Sequence, residues 1–135
     1  MAFAKMLHEE DPREKILRDL GDLNGITLLH NQVLLAVYER PEKTTSGIIL
    51  TASTRREDQY QGKPHLVVKK GPAAFLSSGE WTFPEIDVGD WVIIRPSDGW
   101  ALGVQGAQGV REPINCRMVV DTSIKGLLTS PDLIW

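Results

Sequence analysis

The stretch "ITLLHNQVLLAVYE", Ile26 to Glu39, decides how this sequence folds. Its second half is apolar at both parities: Val33, Leu35 and Val37 on one side, Leu34, Ala36 and Tyr38 on the other. Side chains of a strand alternate between two faces, so a half-exposed strand alternates apolar and polar residues. This one does not. It reads as a strand covered on both faces, as when a barrel strand also meets a second subunit, and Pro41 ends it.

Working outward, "HLVVKK", "WVII", "GWALGV" and "INCRMVVD" read as further short strands. The last alternates: Ile114, Cys116, Met118 and Val120 against Asn115, Arg117 and Asp121, with Val119 breaking the pattern. Gly71-Pro72, Ser77-Ser78-Gly79, Val88-Gly89-Asp90 and Pro96-Ser97-Asp98-Gly99 punctuate them. Many short strands separated by turns predict an all-β barrel or sandwich. The start differs. In "DPREKILRDLG" Asp11 is a natural N-cap, Pro12 fits N1, Glu14 fits N3 of a capping box, and Gly21 fits C′. Ile16, Leu17 and Leu20 make one apolar stripe. So short a helix is marginal alone in water and must dock on its own domain, a neighbour or a larger partner.

Bulk properties narrow the function. The 135 residues suit one domain, and 41% hydrophobic with 24% charged residues is ordinary for a globular protein. A net charge of −3 with both signs scattered argues against nucleic acid bound on a basic face and against a polybasic membrane anchor. The charged N-terminal stretch lacks the apolar run of a secretory signal, and no run is long enough to span a membrane. With one cysteine, Cys116, no internal disulfide forms, and a cytoplasmic location is expected.

Chemistry is hard to find. His8, His30 and His65 lack second ligands at metal spacing; "HEED" at His8 reads as a solvated lead-in to the helix. Cys116 sits on an apolar face without a neighbouring His and reads as a buried thiol. "GVQGAQGVREP", residues 103–113, lacks the Gly-Lys-Ser/Thr of a phosphate cradle and reads as a wide loop. Asp87 and Asp90 read as turn residues rather than a catalytic pair, and Trp81, Trp91, Trp100 and Trp135 as core or interface anchors. No enzyme is visible, and no metal or cofactor is called for. "TTSGIILTAS", Thr44 to Ser53, is ambiguous. It is either a short core strand or an aliphatic recognition motif in a polar segment, its flanks ordered only on binding.

From about Gly25 to Leu128 the order and spacing of five segments resemble the GroES co-chaperonin family. "LLHNQVLLAV" is similar to the family's first strand, Leu-His-Asp-Arg-Val and aliphatics. "TTSGIILTAS" stands where the family has its mobile loop. "QGKPHLVVKKG" is similar to the strand after the loop. "GPAAFLSSGEWTFPEIDVGDWVII" is similar to the roof hairpin and the Val-Gly-Asp-x-Val strand. "INCRMVVDTSIKGLL" is similar to the closing strands.

The resemblance implies a small distorted β-barrel over 25–135, with a mobile loop at about 42–62, a roof hairpin at about 71–84 and a tail at 129–135. A helical arm, 1–24, precedes it. It implies a heptameric ring joined through edge strands near the two termini, with Leu34, Ala36, Tyr38, Ile124, Leu127 and Leu128 at subunit interfaces. Gly47, Ile48, Ile49 and Leu50 would bind the apical domains of an ATP-driven chaperonin; the ATP belongs to that partner, and the chain itself needs no cofactor. The sequence departs from the family in three places: Ser46-Gly47 stands where the family has Gly-Gly before the aliphatics, the arm is extra, and the far end carries a widened 103–113 connection with "TSPDLIW" as an added tail. Such additions also suit a bacteriophage virion protein reusing the barrel, with arm and tail holding other virion proteins.

Overall fold

The computed structural model describes residues 8, 10–40, 62–77 and 82–134. Among these residues six strands form one antiparallel sheet: β1 (Gln32–Val37), β2 (Pro64–Lys70), β3 (Trp91–Ile93), β4 (Trp100–Val104), β5 (Ile114–Val120) and β6 (Gly126–Leu128). Their order is β4-β5-β1-β2-β3-β6, which puts β4 and β6 at the ends of the described sheet. The helix α1 (Pro12–Leu20) precedes them. This is the all-β, GroES-like class of fold with a short helical extension.

β1 is central and meets the expectation of two covered faces, because Val33, Leu34, Leu35 and Ala36 are all 0% exposed. It pairs with β5 (Leu34↔Met118, Ala36↔Cys116) and with β2, where a bulge falls between Leu34 and Leu35. Val33 and Leu35 join Val67, Val92, Val119, Ile86 and Ala74 in one cluster, closed by Phe75, Phe83 and Ile124. Leu34, Ala36 and Tyr38 join Leu66, Val68, Trp91 and Cys116 in the other. The cover on this second face is the arm: Leu20 is a member of the cluster, and Ile16, Leu17, Leu23 and Ile26 pack against it.

Leu34, Ala36 and Tyr38, expected at a subunit interface, are at most 2% exposed within the single chain. The strand is apolar on both sides because the chain supplies both covers.

The helix forms as its ends require. The Asp11 carboxylate accepts the N–H of Arg13 at 2.9 Å, Pro12 occupies the first turn, and the Gly21 N–H donates to Leu17 O at 3.1 Å. Its outer side carries Arg18 paired with Glu10 and Lys15 with Asp19, exposed pairs that add little to stability. Docking is set by the 103–113 connection. The Ala107 N–H donates to Asp19 O at 2.8 Å. A Cβ on Gly106 would stand 2.6 Å from that same oxygen, and one on Gly21 (φ +64) would stand 2.9 Å from Ala107 Cβ. Both glycines are what let helix end and loop touch. On the other side of the helix, Lys69 Nζ donates to Leu23 O at 2.6 Å.

The sheet's far end is tied by one carboxylate. Asp121, 5% exposed, accepts from Asn31 Nδ2 at 3.1 Å and from the Phe75 N–H at 3.0 Å, joining the entry of β1, the exit of β5 and the segment after β2. Phe75 and Phe83 meet edge to face at 5.7 Å. Arg117 lies on the polar side of the alternation but is only 8% exposed. Its guanidinium donates to Asp98 O and Pro96 O, each at 2.7 Å, and pins the β3–β4 turn.

Leu20 is the point at which the arm enters the core, at 2% exposure. Truncating a buried leucine removes its transfer energy and leaves a cavity, roughly 2–5 kcal/mol. Leu20→Ala is expected to destabilise the chain by about 3 kcal/mol in chemical denaturation. Leu17→Ala, at a half-buried site, should cost less. Equal and negligible effects of both would mean that the helix does not dock as described.

Candidate functional site

The four loop residues singled out in the sequence, Gly47, Ile48, Ile49 and Leu50, lie outside the described residues, as does Trp135. What is described is the base from which their segment leaves and to which it returns. β1 and β2 are antiparallel neighbours whose last pair is Val37↔His65. β1 ends at Val37 and β2 begins at Pro64, so residues 40 and 62 lie just beyond the paired ends of adjacent strands.

The base is firmly packed. The Tyr38 ring, 2% exposed, meets Trp91 edge to face at 5.6 Å. Its hydroxyl donates to Asp132 Oδ1, and His8 Nε2 lies 2.9 Å from Asp132 Oδ2 and 3.1 Å from the same hydroxyl. On the returning side, Lys63 O accepts the Ile94 N–H at 3.2 Å and lies 3.1 Å from His65 Nδ1. His65 is 2% exposed. Burial holds its pKa down at about 4, and the nearby Arg117 charge acts in the same direction, against the pull of Lys63 O. The imidazole is neutral at pH 7.

Among the described residues β6 pairs with β3 alone (Trp91↔Leu128, Val92↔Leu127). Leu127 is 44% exposed, while Leu128 packs against the arm-side cluster and Ile124 against the opposite one. Of the six residues expected at interfaces, Leu127 thus offers the most apolar surface. Leu29, before β1, is 61% exposed and was not singled out in the sequence.

The groups with chemical potential all have structural partners. Burial pushes the Cys116 thiol up to about 12, which removes it as a nucleophile near neutrality. Asp87 Oδ1 accepts the Val88 N–H at 2.8 Å, and Asp90 Oδ2 accepts the Asp87 N–H at 2.9 Å, so both carboxylates build the turn before β3. The Val88 N–H, and then Lys70, hold the Asp87 carboxyl below its usual range. Among the described residues no group of three His, Cys, Asp or Glu could hold a metal ion. No helix among them is long and apolar enough to cross a membrane. Sequence reasoning missed the meeting of His8, Tyr38 and Asp132, whose separations of 30 and 94 residues leave no local pattern to find.

Comparison with known proteins places these features. The profile of the family described as chaperonin 10 Kd subunit matches residues 25–110. The co-chaperonin GroES of Geobacillus sp. (strain WCH70) is 36% identical over 93 residues, covering 69% of this chain and 85% of that relative. The protein of the same name from Tetragenococcus halophilus is 41% identical over 91 residues, covering 67% and 83%. That from Geobacillus stearothermophilus is 36% identical over 93 residues, covering 69% and 85%.

The buried His65 generates a pH dependence whose sign is fixed. Unfolded, the ring takes a proton near pH 6.5; folded, only near 4. Between those values the unfolded chain binds the extra proton, so stability is fully present above about 6.5 and is lost as pH falls toward 4. Denaturation curves at pH 7 and pH 5 should differ by about 2 kcal/mol from this group, and His65→Gln should flatten that difference. An unchanged slope in the variant would show that His65 is not held neutral.

Proposed function

The chain belongs to the chaperonin 10 kDa subunit family, and from that premise we propose that it is a co-chaperonin, a ring subunit that caps an ATP-driven chaperonin and assists protein folding. The observation that carries this reading is the family match over 25–110, which runs through both loop-base strands and the aliphatic segment between them. The family is not one of enzymes.

In this reading Ile48, Ile49 and Leu50 bury in an apical-domain groove and Gly47 permits the turn into it. Each such side chain is worth about 1.5–3 kcal/mol on full burial, before the cost of ordering its flanks. One loop therefore binds modestly, and several loops on one ring combine by avidity. A heptameric ring forms as the edge of β6 with Leu127 meets the segment around Leu29 of the next copy. The protein works in the cytoplasm with its chaperonin. A virion role rested on an arm that must dock elsewhere. α1 spends its apolar stripe on its own sheet, so no observation now favours that role.

The test is capture of a chaperonin by the full chain with and without ATP. Ile49→Asp is expected to abolish ATP-dependent capture while native mass spectrometry still shows the ring. Capture and refolding activity that survive the substitution would rule out this loop as the contact.

A further inference from the structure

His8 and Asp132 both lie outside the family-matched range, yet they meet at a residue within it. The carboxylate of Asp132 can only accept, so His8 Nε2 must carry the proton that it gives to Oδ2, while the Tyr38 O–H gives its own to Oδ1. The Tyr38 oxygen, 3.1 Å from Nε2, is left as an acceptor. Each partner is itself held. Asp132 sits in a short 3-10 turn, Pro131–Leu133, whose Ser130 hydroxyl accepts the Asp132 N–H at 3.3 Å. Tyr38 is fixed against Trp91. His8 lies just ahead of the capped helix, near Glu10, which grips Arg18 through both oxygens. The His8 and Asp132 side chains are only 21% and 20% exposed, where such bonds outweigh those in open water.

The location matters more than the bonds. The β1–β2 ladder ends at Val37↔His65, so Tyr38 is the first residue that leaves it. Asp132 comes four residues after Leu128, the last residue of β6. One three-way contact thus joins the exit of β1, the exit of the edge strand and the lead-in to the arm. Beyond Tyr38, Glu39 takes one exposed bond from Asn115 Nδ2 at 2.7 Å.

We infer that His8, Tyr38 and Asp132 form a clasp by which the arm and the tail fix the direction of the chain as it leaves β1, making Tyr38 a positioning residue for the chaperonin-binding segment. The inference rests on the co-chaperonin reading, and it gives the two added ends a shared role inside one subunit. Neither His8 nor Asp132 belongs to the matched part.

The test uses the full chain and the substitutions Tyr38→Phe, Asp132→Asn, His8→Ala and His8→Gln. Tyr38→Phe keeps the ring on Trp91 and removes only the hydroxyl; His8→Gln keeps a donor that His8→Ala lacks. Hydrogen exchange of amides 38–40 is expected to speed roughly 5- to 10-fold in Tyr38→Phe, Asp132→Asn and His8→Ala, as for loss of one net hydrogen bond. His8→Gln should stay closer to the parent. Ring mass should not change, and ATP-dependent affinity for a chaperonin should fall several-fold in the same three variants. Unchanged exchange at 38–40 overturns the clasp. Faster exchange with unaltered affinity overturns the positioning role. A parent chain that captures no chaperonin instead brings down the co-chaperonin reading and the positioning role together, and exchange alone then decides whether the clasp holds the β1 exit.

Discussion

Everything in this structure depends on burying a strand that is apolar on both faces. β1 is flanked by β5 and β2, so its backbone is satisfied from both sides, and each face then needs a layer of its own. One layer comes from Ala74, Ile86 and Phe83 between β2 and β3, and Ile124 after β5. The other comes from α1 and the stretch Leu23–Ile26. A small sheet with only one layer would expose Leu34, Ala36, Leu66 and Trp91 as a contiguous apolar surface, which a monomeric protein seldom tolerates. The arm is therefore part of the core, and the unit that folds starts well before the matched range.

Much of this was legible. The doubled apolar parity of residues 33–38 announced two covers, and both are present. Asp11, Pro12 and Gly21 marked the helix at its observed limits, and the alternation at 114–118 gave β5 its faces. What could not be read was which element covers which face. A stripe at Ile16, Leu17 and Leu20 says that a helix must dock and is silent on where, since nothing in a local period encodes a partner distant in sequence. The resemblance to ring-forming proteins then suggested a neighbouring subunit, and the chain's own helix proved to be the cover. Arg117 misled in a similar way. Its parity placed it correctly, but the carbonyls of Pro96 and Asp98 that bury it belong to a turn that only the fold brings near.

The candidate site divides along the same line. The aliphatic run was visible because it is local: Gly47 to Leu50 stand together among polar residues. The base beneath it was not, because it is built from side chains remote in the chain. His65 illustrates the difference. In the sequence it is one histidine among strand formers; in the fold it is sealed at the first residue pair below the loop, neutral because water cannot reach it and because Arg117 lies nearby. A packed floor gives the connecting segment fixed ends, and fixed ends reduce the entropy that binding must overcome.

The arm, the widened connection and the tail form one construction. The arm lies on the sheet and the widened connection meets its end, where Gly106 and Gly21 allow backbone and side chain to approach closely. The tail returns to the arm's beginning through Asp132 and His8. Each addition alone would be hard to keep ordered: a short helix, a glycine-rich loop and a terminal peptide all lose more conformational freedom than they recover by themselves. Together they satisfy one another, and the point at which they close is the hydroxyl of Tyr38. An extension that only had to reach a neighbour would have no cause to close there. A set of extensions that closes on the exit of β1 acts on the chain beyond that exit, and the next segment of the sequence is the one that carries Gly47-Ile48-Ile49-Leu50.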